Sequence, residues 1–295
     1  MSCDDGRSWG AETGLPHVDC NTEDCDHDEG AARGIAYGDG WFVATFGWGT
    51  PGGVRRTRDG VTWEVTLPDT IRAEMAYGEG VFMTGGEVPI LSPDGDNWMD
   101  GPRCPNKDSR VIEFVPANGG RFVVFGETAS FITVSEDVGE TWSVPSERPD
   151  ECGPSTTGIA SGNGAIVAAS PRHVCVSDDD GDTWQLVSLP GGRLTSVPVF
   201  DGSRFMIWAG ATVHLSEDGV TWTQEACTPA DISVTAVAVG PSGTFVSSQG
   251  RDASQRFYRS EDGISWERLE DDSFPQGVDI KYIQPGEVEP GGACP

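Results

Sequence analysis

Residues 135–142 read SEDVGETW. The same eight-residue pattern returns as SDDDGDTW at residues 177–184 and as SCDDGRSW at residues 2–9. A form shorter by one residue occurs four times, as TRDGVTW at 57–63, SPDGDNW at 92–98, SEDGVTW at 216–222 and SEDGISW at 260–266. We call this pattern the repeat motif. Its seven tryptophans are 54, 35, 44, 42, 38 and 44 residues apart, and a period near forty residues indicates a repeat architecture.

The residue types of the repeat motif predict a tight turn. A Ser or Thr and an Asp two residues later have short side chains that hydrogen-bond nearby backbone N–H groups. The Gly adopts a positive φ without steric cost, and the final Trp supplies a large apolar surface. Each copy is therefore predicted to join two strands, with these Asp and Trp residues as structural elements: Asp4 and Trp9, Asp59 and Trp63, Asp94 and Trp98, Asp137 and Trp142, Asp179 and Trp184, Asp218 and Trp222, Asp262 and Trp266.

The repeat motif resembles the Asp-box (BNR) repeat of sialidases, xyloglucanases, sortilin-type receptor domains and photosystem II assembly-factor propellers. The resemblance spans nearly the whole chain. It implies an all-β fold, a seven-bladed β-propeller with four-stranded antiparallel blades. In those families the box joins the third and fourth strands at the periphery of a blade, so a structural role is expected for it.

The 295 residues are accounted for by seven blades of roughly forty residues in one domain, 1–295. The first motif has no strands before it, whereas Val278–Ile283 fits the first strand of a blade. We therefore expect residues 1–10 and 276–295 to share one closing blade, which would remove exposed sheet edges.

Short apolar runs separated by Gly-containing turns predict the first two strands of each full blade. In the first blade, Asp39-Gly40 is a hairpin turn between Gly34–Gly38 and Trp41–Phe46. Val54–Thr57 and Trp63–Thr66 complete that blade around the motif. The later pairs are Glu74–Tyr77 with Val81–Thr84, Val111–Val115 with Arg121–Phe125, Gly158–Ser161 with Ala165–Ala169, Ser196–Phe200 with Arg204–Trp208, and Thr235–Val239 with Thr244–Ser248.

The chain is strongly acidic, with 47 Asp and Glu against 19 Lys and Arg and a net charge of −28. Nucleic acid binding relies on basic patches that neutralise phosphates, so nucleic acid is excluded as a partner. An anionic membrane surface is disfavoured for the same reason. The acidity is typical of a solvated surface, and it could also attract cations or a basic partner.

Eight cysteines lie outside any zinc-ligand spacing, which favours disulfides and an oxidising compartment. Connectivity does not follow from the sequence alone. The pairs we expect are Cys3–Cys294 across the ring closure, Cys20–Cys25 within one loop, and Cys104–Cys152 and Cys175–Cys227 between adjacent blades.

The sequence has no apolar stretch of transmembrane length and no recognisable secretory leader. Met1 stands directly before the first motif. Together with the cysteines, this leads us to expect an exported protein, periplasmic, cell-surface or secreted, recorded here in a processed or shortened form.

Residues 11–34 form the longest stretch without a repeat pattern and are predicted to be an acidic loop. Two histidines and several carboxylates there could hold a divalent cation, although a solvated loop closed by a small disulfide is the simpler interpretation. The candidate ligands are His17, Asp19, Asp24, Asp26, His27 and Asp28. No cofactor is otherwise required.

Propellers bind ligands mainly at one mouth of the central channel, and the family geometry puts the boxes on the opposite face. Several arginines near the starts of inner strands could clamp a carboxylate or phosphate, or pair with the nearby acids. Trp48 lies outside the motifs and could stack on a sugar or a partner, or pack in its loop. The candidate binding residues are Trp48, Arg72, Arg103, Arg110 and Arg193.

No catalytic residue is assigned. The Arg-Ile-Pro motif of sialidases is absent from the sequence, and the four tyrosines all fall in predicted strands. Glycoside hydrolysis needs two placed carboxylates, but among 47 acids such a pair carries no information. The sequence therefore favours a non-enzymatic binding or assembly propeller that engages a protein partner through one face of the ring. A glycan-binding or glycan-hydrolysing protein is the alternative.

Overall fold

The computed structural model describes residues 2, 4, 7, 32–47, 52–70, 72, 74–86, 88–105, 109–116, 119–126, 132–153, 155–249, 256–270 and 284–286. Within these ranges the named elements are all β-strands, and they form six antiparallel sheets. No helix in the described ranges is long and apolar enough to cross a membrane.

Each sheet is an up-and-down arrangement of strands that are consecutive in the chain. The first two sheets contain β1 (Ala32–Gly38), β2 (Trp41–Phe46), β3 (Gly53–Thr57) and β4 (Glu64–Leu67), then β5 (Met75–Gly78), β6 (Val81–Thr84), β7 (Ile90–Ser92) and β8 (Met99–Asp100). The third and fourth contain β9 (Ser109–Val115), β10 (Arg121–Gly126) and β11 (Ile132–Ser135), then β12 (Gly158–Gly162), β13 (Ala165–Ala169), β14 (Val174–Ser177) and β15 (Gln185–Val187). The fifth and sixth contain β16 (Val199–Phe200), β17 (Phe205–Ala209), β18 (Thr212–Ser216) and β19 (Thr223–Ala226), then β20 (Ala236–Val239), β21 (Phe245–Gln249), β22 (Arg256–Ser260) and β23 (Trp266–Arg268).

The sheets are the blades of a β-propeller. Their first strands contact one another in the order β1, β5, β9, β12, β16 and β20, which makes them the innermost strands around a central channel. No comparable contact joins β20 back to β1 among the described strands. The described residues thus contain six blades rather than the predicted seven. The residues assigned to the closing blade, 1–10 and 276–295, lie outside the described residues except for 2, 4, 7 and 284–286.

Strand prediction is confirmed at the residue level for β2, β6 and β13 and is weakest in the fifth blade. There the predicted strand Ser196–Phe200 is reduced to Val199–Phe200. Pro198 has no N–H to donate to a ladder, and the Ser196 Oγ accepts the Trp208 N–H at 3.0 Å in place of a backbone carbonyl.

Residues 32–34 belong to β1, so the predicted loop 11–34 ends before them, and its residues 11–31 lie outside the described residues.

Hydrogen bonds within the repeat motif close its turn as the residue types predict. In the motif of the fifth blade, the Ser216 hydroxyl donates to Asp218 Oδ1 at 3.0 Å, and that oxygen accepts the N–H groups of Val220 and Thr221 at 2.8 and 2.7 Å. The Gly219 N–H, at φ 75°, donates to the Ser216 hydroxyl. The hydroxyl-to-Asp bond recurs in all seven copies, including Ser2 to Asp4 at 2.9 Å.

The extra residue of the longer motif adopts a left-handed backbone. Val138 has φ 57° and Asp180 has φ 59°, each directly before the motif Gly. A β-branched residue rarely adopts this conformation because its Cβ crowds the backbone. The turn therefore overrides the local preference of Val138.

Five of the motif tryptophans pack in clusters that join two blades, namely Trp98, Trp142, Trp184, Trp222 and Trp266. Trp184 and Trp266 are buried, and their indole N–H groups donate to the carbonyls of Gly181 and Gly263 in their own turns. Trp184 meets Phe125 of the preceding blade edge-on at 5.2 Å between ring centroids. The turn thus fixes the orientation of the tryptophan that packs against the preceding blade.

Neighbouring inner strands approach closely where a glycine faces an aromatic ring. A Cβ on Gly38 would lie 2.1 Å from the Tyr77 ring, and one on Gly78 would lie 2.0 Å from the Phe114 ring. A Cβ on Gly286 would lie 2.5 Å from the Phe42 ring and 2.6 Å from the Tyr37 ring, both in the first blade.

The one disulfide found among the described residues joins Cys152 to Cys175, with a Cα–Cα distance of 5.7 Å. The predicted pairs Cys104–Cys152 and Cys175–Cys227 are therefore wrong, and both Cys104 and Cys227 are buried. Cys152 lies in the connection between two blades and reaches the third strand of the blade that follows. The sequence predicted bridges between adjacent blades, whereas the observed bridge joins a connection to a strand of the next blade. The predicted pairs Cys3–Cys294 and Cys20–Cys25 lie outside the described residues.

Cys104 occupies the equivalent position one blade earlier, where its Sγ lies 3.3 Å from the Thr133 hydroxyl. Thr133 and Cys175 both stand two residues before their motif Ser. We expect Thr133→Cys to form a disulfide with Cys104 and to stabilise the fold by about 3 kcal/mol through loop closure. Mass spectrometry and denaturant unfolding would measure this. Thr133→Ser is the control, and an unchanged midpoint with the bond formed would contradict the prediction.

The motif carboxylate is expected to be needed for stability. Asp218→Ala leaves the N–H groups of Val220 and Thr221 without their acceptor and should lower the free energy of unfolding by roughly 1–2 kcal/mol. Asp218→Asn keeps the Oδ1 acceptor and should cost less. The neighbouring Glu217→Ala removes an exposed carboxylate of the same motif that accepts none of the hydrogen bonds of the turn, so an equal loss in that variant would refute the assignment. Urea unfolding gives the three values.

Candidate functional site

The inner strands of all six blades begin at the same end of the channel, because each blade repeats the same antiparallel order. We call the end where Ala32, Met75, Ser109, Gly158 and Val199 begin these strands the mouth face. The repeat motifs join third to fourth strands and lie at the opposite end. The connections between blades therefore also belong to the mouth face.

Two carboxylates lie on adjacent inner strands near the mouth face. Glu74 directly precedes β5 of the second blade, and Glu113 lies within β9 of the third. Both are half-buried. Glu74 accepts the backbone N–H of Ile112 from the neighbouring inner strand. Gly34 permits this packing, because a Cβ there would lie 2.6 Å from the Glu74 Cα.

Burial dominates the electrostatics of this pair. Loss of hydration and, to a lesser extent, the nearby Glu113 carboxylate raise the pKa of Glu74 to about 8, while Arg33 and the Ile112 N–H act in the opposite direction. Burial alone raises the pKa of Glu113 to about 7. Both side chains keep part of their surface exposed. Near neutral pH the pair therefore retains a proton.

Arg33 is the cation of this arrangement. It lies in β1, and its Nη1 donates to the Gly47 carbonyl at 3.3 Å. We call Arg33, Glu74 and Glu113 the channel triad. The three residues stand on the inner strands of three successive blades, so a rigid scaffold holds them at the channel wall.

The predicted arginines lie on the mouth face in separate connections. Arg72 precedes the second blade, Arg103 the third and Arg193 the fifth, while Arg110 is in β9. Arg72 is half-buried and donates to the Val88 carbonyl at 3.1 Å; its Nε has no partner, and burial lowers its pKa. Arg103 and Arg193 are exposed. The structure spreads these residues over the face, while Trp48 lies outside the described residues.

The candidate metal ligands His17, Asp19, Asp24, Asp26, His27 and Asp28 all lie outside the described residues. In the ranges that the structure does describe, no group of three His, Cys, Asp or Glu side chains could hold a metal ion.

Sequence reasoning missed both carboxylates of the channel triad. Glu74 was assigned to a strand end, and Glu113 lay inside the predicted strand Val111–Val115. A signal was present, since each acid interrupts an apolar run, in RAEMAYG and VIEFV. Charged residues are almost never placed in such runs without a partner.

His214 is a second buried titratable group, fully enclosed in β18. Burial lowers its pKa, its Nδ1 has no partner, and its Nε2 lies 3.5 Å from Gln224 Nε2. Gln224 also donates to the Pro190 carbonyl. This histidine lies in the blade interior and away from the channel strands, so we assign it to packing.

The fold is similar to those of several solved propellers. YCF48 bound to D1 peptide matches with a TM-score of 0.60 and 18% identity, over 82% of this chain and 81% of that one. YCF48 from Cyanidioschyzon merolae gives 0.64 and 16%, over 90% and 89%. AFV00434, an ancestral GH74 enzyme, gives 0.54 and 17% over 67% of this chain and 31% of the enzyme. These identities establish the propeller fold alone.

No protein-family model matches the chain, and no curated sequence matches it.

Glu113 should make stability depend on pH. Its folded pKa lies above the unfolded value of 4.5, so the folded state loses stability as pH rises from the unfolded pKa through the folded one, and the loss is complete above about pH 7. We expect Glu113→Gln to stabilise the protein at pH 8 by roughly 2–3 kcal/mol and to change it little at pH 4. Thermal or denaturant unfolding at both pH values measures this. The exposed Glu225→Gln should show neither effect; a loss of stability at pH 8 in Glu113→Gln would contradict the assignment.

Proposed function

We propose that the protein is a non-enzymatic, exported binding module that engages a protein partner through its mouth face. The observation that carries this proposal is the channel triad, in which two partly buried carboxylates on neighbouring blades have ionised forms that oppose folding. Groups retained against stability are typical of functional sites. The YCF48 structure with a bound peptide supports the general idea that propellers of this shape bind polypeptides.

The opposite face is a poorer candidate because its polar groups are already used. The motif Asp oxygens accept hydrogen bonds from their own turns, as Asp137 does from Thr141 at 2.8 and 2.6 Å. These bonds lower the pKa of Asp137 despite the opposing effect of burial. The mouth face carries two exposed arginines, Arg103 and Arg193.

Export is supported by the Cys152–Cys175 disulfide, since such bonds persist mainly in oxidising compartments. A cell-envelope or extracellular complex is therefore the proposed setting for the partner. No cofactor is part of this function. We keep the loop from His17 to Asp28 as a proposed divalent-cation site, which metal analysis of a His17→Ala, His27→Ala variant would test.

We also propose that the two termini form a seventh, closing blade. Three observations support this. Strands β20 and β1 are not neighbours among the described strands, and the Ser2 hydroxyl bonds to Asp4 as in the other motifs. Gly286 lies against the Phe42 and Tyr37 rings of the first blade. This closure corresponds to the resemblance to Asp-box propellers.

Glycan hydrolysis is the second candidate function, favoured by one observation. Glu74 and Glu113 are neighbouring carboxylates with raised pKa values, and a glycosidase uses a pair of carboxylates, one of them an acid with a raised pKa. Fluorogenic glycosides would decide the matter: turnover that is lost in both Glu74→Gln and Glu113→Gln would establish an enzyme in place of a binding module.

Partner binding is tested with tagged protein crosslinked in its native envelope and purified with any bound protein. We expect one protein at a fixed ratio in native mass spectrometry and at least a tenfold loss in affinity for Arg193→Glu, because this change reverses a charge on the mouth face. Arg268→Glu makes the same change on the outer strand β23 and is the control. A monomer at every salt concentration, or equal loss in both variants, would refute the proposal.

A further inference from the structure

We infer that His214 is the sensor of a pH-dependent switch in the connection between the fourth and fifth blades. Residues 188–193, which we call the connecting segment, are held through Gln224 while the His214 ring is neutral and are released when it is protonated. This role is additional to the packing of His214 in the blade interior. The release does not depend on the proposed function; its effect on a bound partner does, because the connecting segment carries Arg193.

The position of His214 within its blade is one that contacts the preceding connection elsewhere in the fold. In the fourth blade this position is Cys175, which forms the disulfide with the preceding connection. In the third blade it is Thr133, whose hydroxyl lies 3.3 Å from the Sγ of Cys104 in the preceding connection. All three residues stand two places before the motif Ser. In the fifth blade the equivalent position is therefore occupied by a titratable side chain.

Gln224 joins His214 to the connecting segment. It is the ladder partner of His214 on the outer strand β19, so the two side chains lie on the same face of the sheet. The Gln224 Nε2 donates to the Pro190 carbonyl at 2.6 Å and lies 3.5 Å from the His214 Nε2. Residues 190–193 are exposed, and no other hydrogen bond from a described residue reaches them. The hold on the connecting segment therefore depends on the Gln224 amide.

The bond to Pro190 fixes the protonation state of His214. A carbonyl only accepts hydrogen bonds, so Gln224 must turn its NH₂ group toward Pro190, and this group also faces the imidazole. The His214 Nε2 is then the acceptor, and the hydrogen of the neutral ring lies on Nδ1. Within the described residues Nδ1 has no hydrogen-bond partner. The arrangement is therefore compatible only with a neutral ring.

No charged group on the described elements around His214 is placed to stabilise a protonated ring. His214 is fully buried, and its other ladder partner, Ile207 of β17, packs with β13 and β14 of the fourth blade. The charged side chains on these strands, on β19 and on the connecting segment are Glu225 and Arg193, and the β14 cysteine is in the disulfide. Glu225 pairs with Val213 and so lies on the other face, while Arg193 is exposed. Burial lowers the pKa of His214 with no opposing effect.

Protonation of His214 is incompatible with the bond to Pro190. It adds a hydrogen to Nε2, which then faces the NH₂ group of Gln224, so that two donors meet. Rotation of the amide relieves this contact by presenting Oε1 to the ring, but it also turns Oε1 toward the Pro190 carbonyl. The bond to the connecting segment is then lost. Because burial lowers the His214 pKa from 6.5, the release is expected on the acid side of that value.

A nitroxide label on the connecting segment measures its release. Gly192→Cys is a suitable site, because a Cβ there has no atom within 4 Å. The unmutated protein treated with the same reagent gives the background from native cysteines. We expect a spectrum of restricted motion at pH 7.5 and at least a threefold rise in the mobile fraction by pH 4, with a midpoint below pH 6.5. A mobile fraction that stays constant over this range would overturn the inference.

Two further variants of the labelled protein should change the result in opposite directions. Gln224→Leu removes the bond to Pro190 and should give the mobile spectrum at every pH. His214→Leu removes the titrating ring, keeps that bond and should give the restricted spectrum at every pH. His173→Gln removes a histidine outside the switch and should keep the pH dependence. An equal acid response in His214→Leu and in the unmodified switch would refute the role of His214.

A measurement on the wild type keeps the inference testable if a variant fails to fold. Nitrogen NMR shifts of the His214 ring at pH 7.5 should show the hydrogen on Nδ1, and a hydrogen on Nε2 would contradict the arrangement. Far-UV circular dichroism should stay constant from pH 7.5 to 4, since a loss of sheet signal would indicate global unfolding in place of local release. These measurements involve no partner, so their failure leaves the proposed binding function intact, and the absence of a partner leaves the switch intact.

Discussion

The hydrogen bond from a Ser or Thr hydroxyl to an Asp two residues later closes the turn of each repeat motif, and the packing between blades depends on that turn. By closing the turn it sets the direction of the following Trp, and that Trp fills the space between blades. The turn also presents carbonyls to the preceding blade. Arg56 donates to the Asp94 carbonyl at 2.9 Å, Arg121 to that of Asp180 at 3.0 Å, and Asn163 to that of Glu217 at 3.1 Å. A local turn thus creates the contacts between repeats. In a repeat protein these contacts between neighbours make folding cooperative.

The inner strands differ from the blade interiors in their residue types. The blade interiors are apolar and closely packed, whereas the channel wall holds two carboxylates whose ionised forms oppose folding. Packing of the blades therefore favours small or apolar residues on the inner strands, whereas a functional site there requires charged ones. Positions that serve the fold are small or apolar, such as Gly34 and Ala36, and those that break the pattern are charged. Because the fold is shared with binding proteins and with an enzyme, function has to be argued from these exceptions.

The repeat motif made the architecture predictable from the sequence. Features that do not follow the repeat could not be predicted in this way. Seven motif copies indicated blades, strand order and the location of the turns, because each copy encodes a short-range set of hydrogen bonds. The disulfides were predicted incorrectly because the contact between Cys152 and Cys175 depends on how one blade's connection crosses the next blade, which spacing does not reveal. The fifth inner strand was predicted too long because Pro198 was weighed less than the apolar pattern. Arg72, Arg103 and Arg193 lie on the mouth face, and their role in binding stays a prediction. The pKa values of Glu74 and Glu113 depend on burial and on strand neighbours, and no motif marks these acids.

The contact between a glycine of one inner strand and an aromatic ring of the next has a consequence for the covalent order of the chain. Gly286 lies against the rings of Phe42 and Tyr37, so a segment near the end of the described chain meets the first blade through a glycine and aromatic rings, as consecutive blades meet each other. A contact of this kind does not depend on a peptide connection between its two sides. A circular permutant with new ends in the hairpin at Asp201-Gly202 would therefore keep the described interfaces between the other blades.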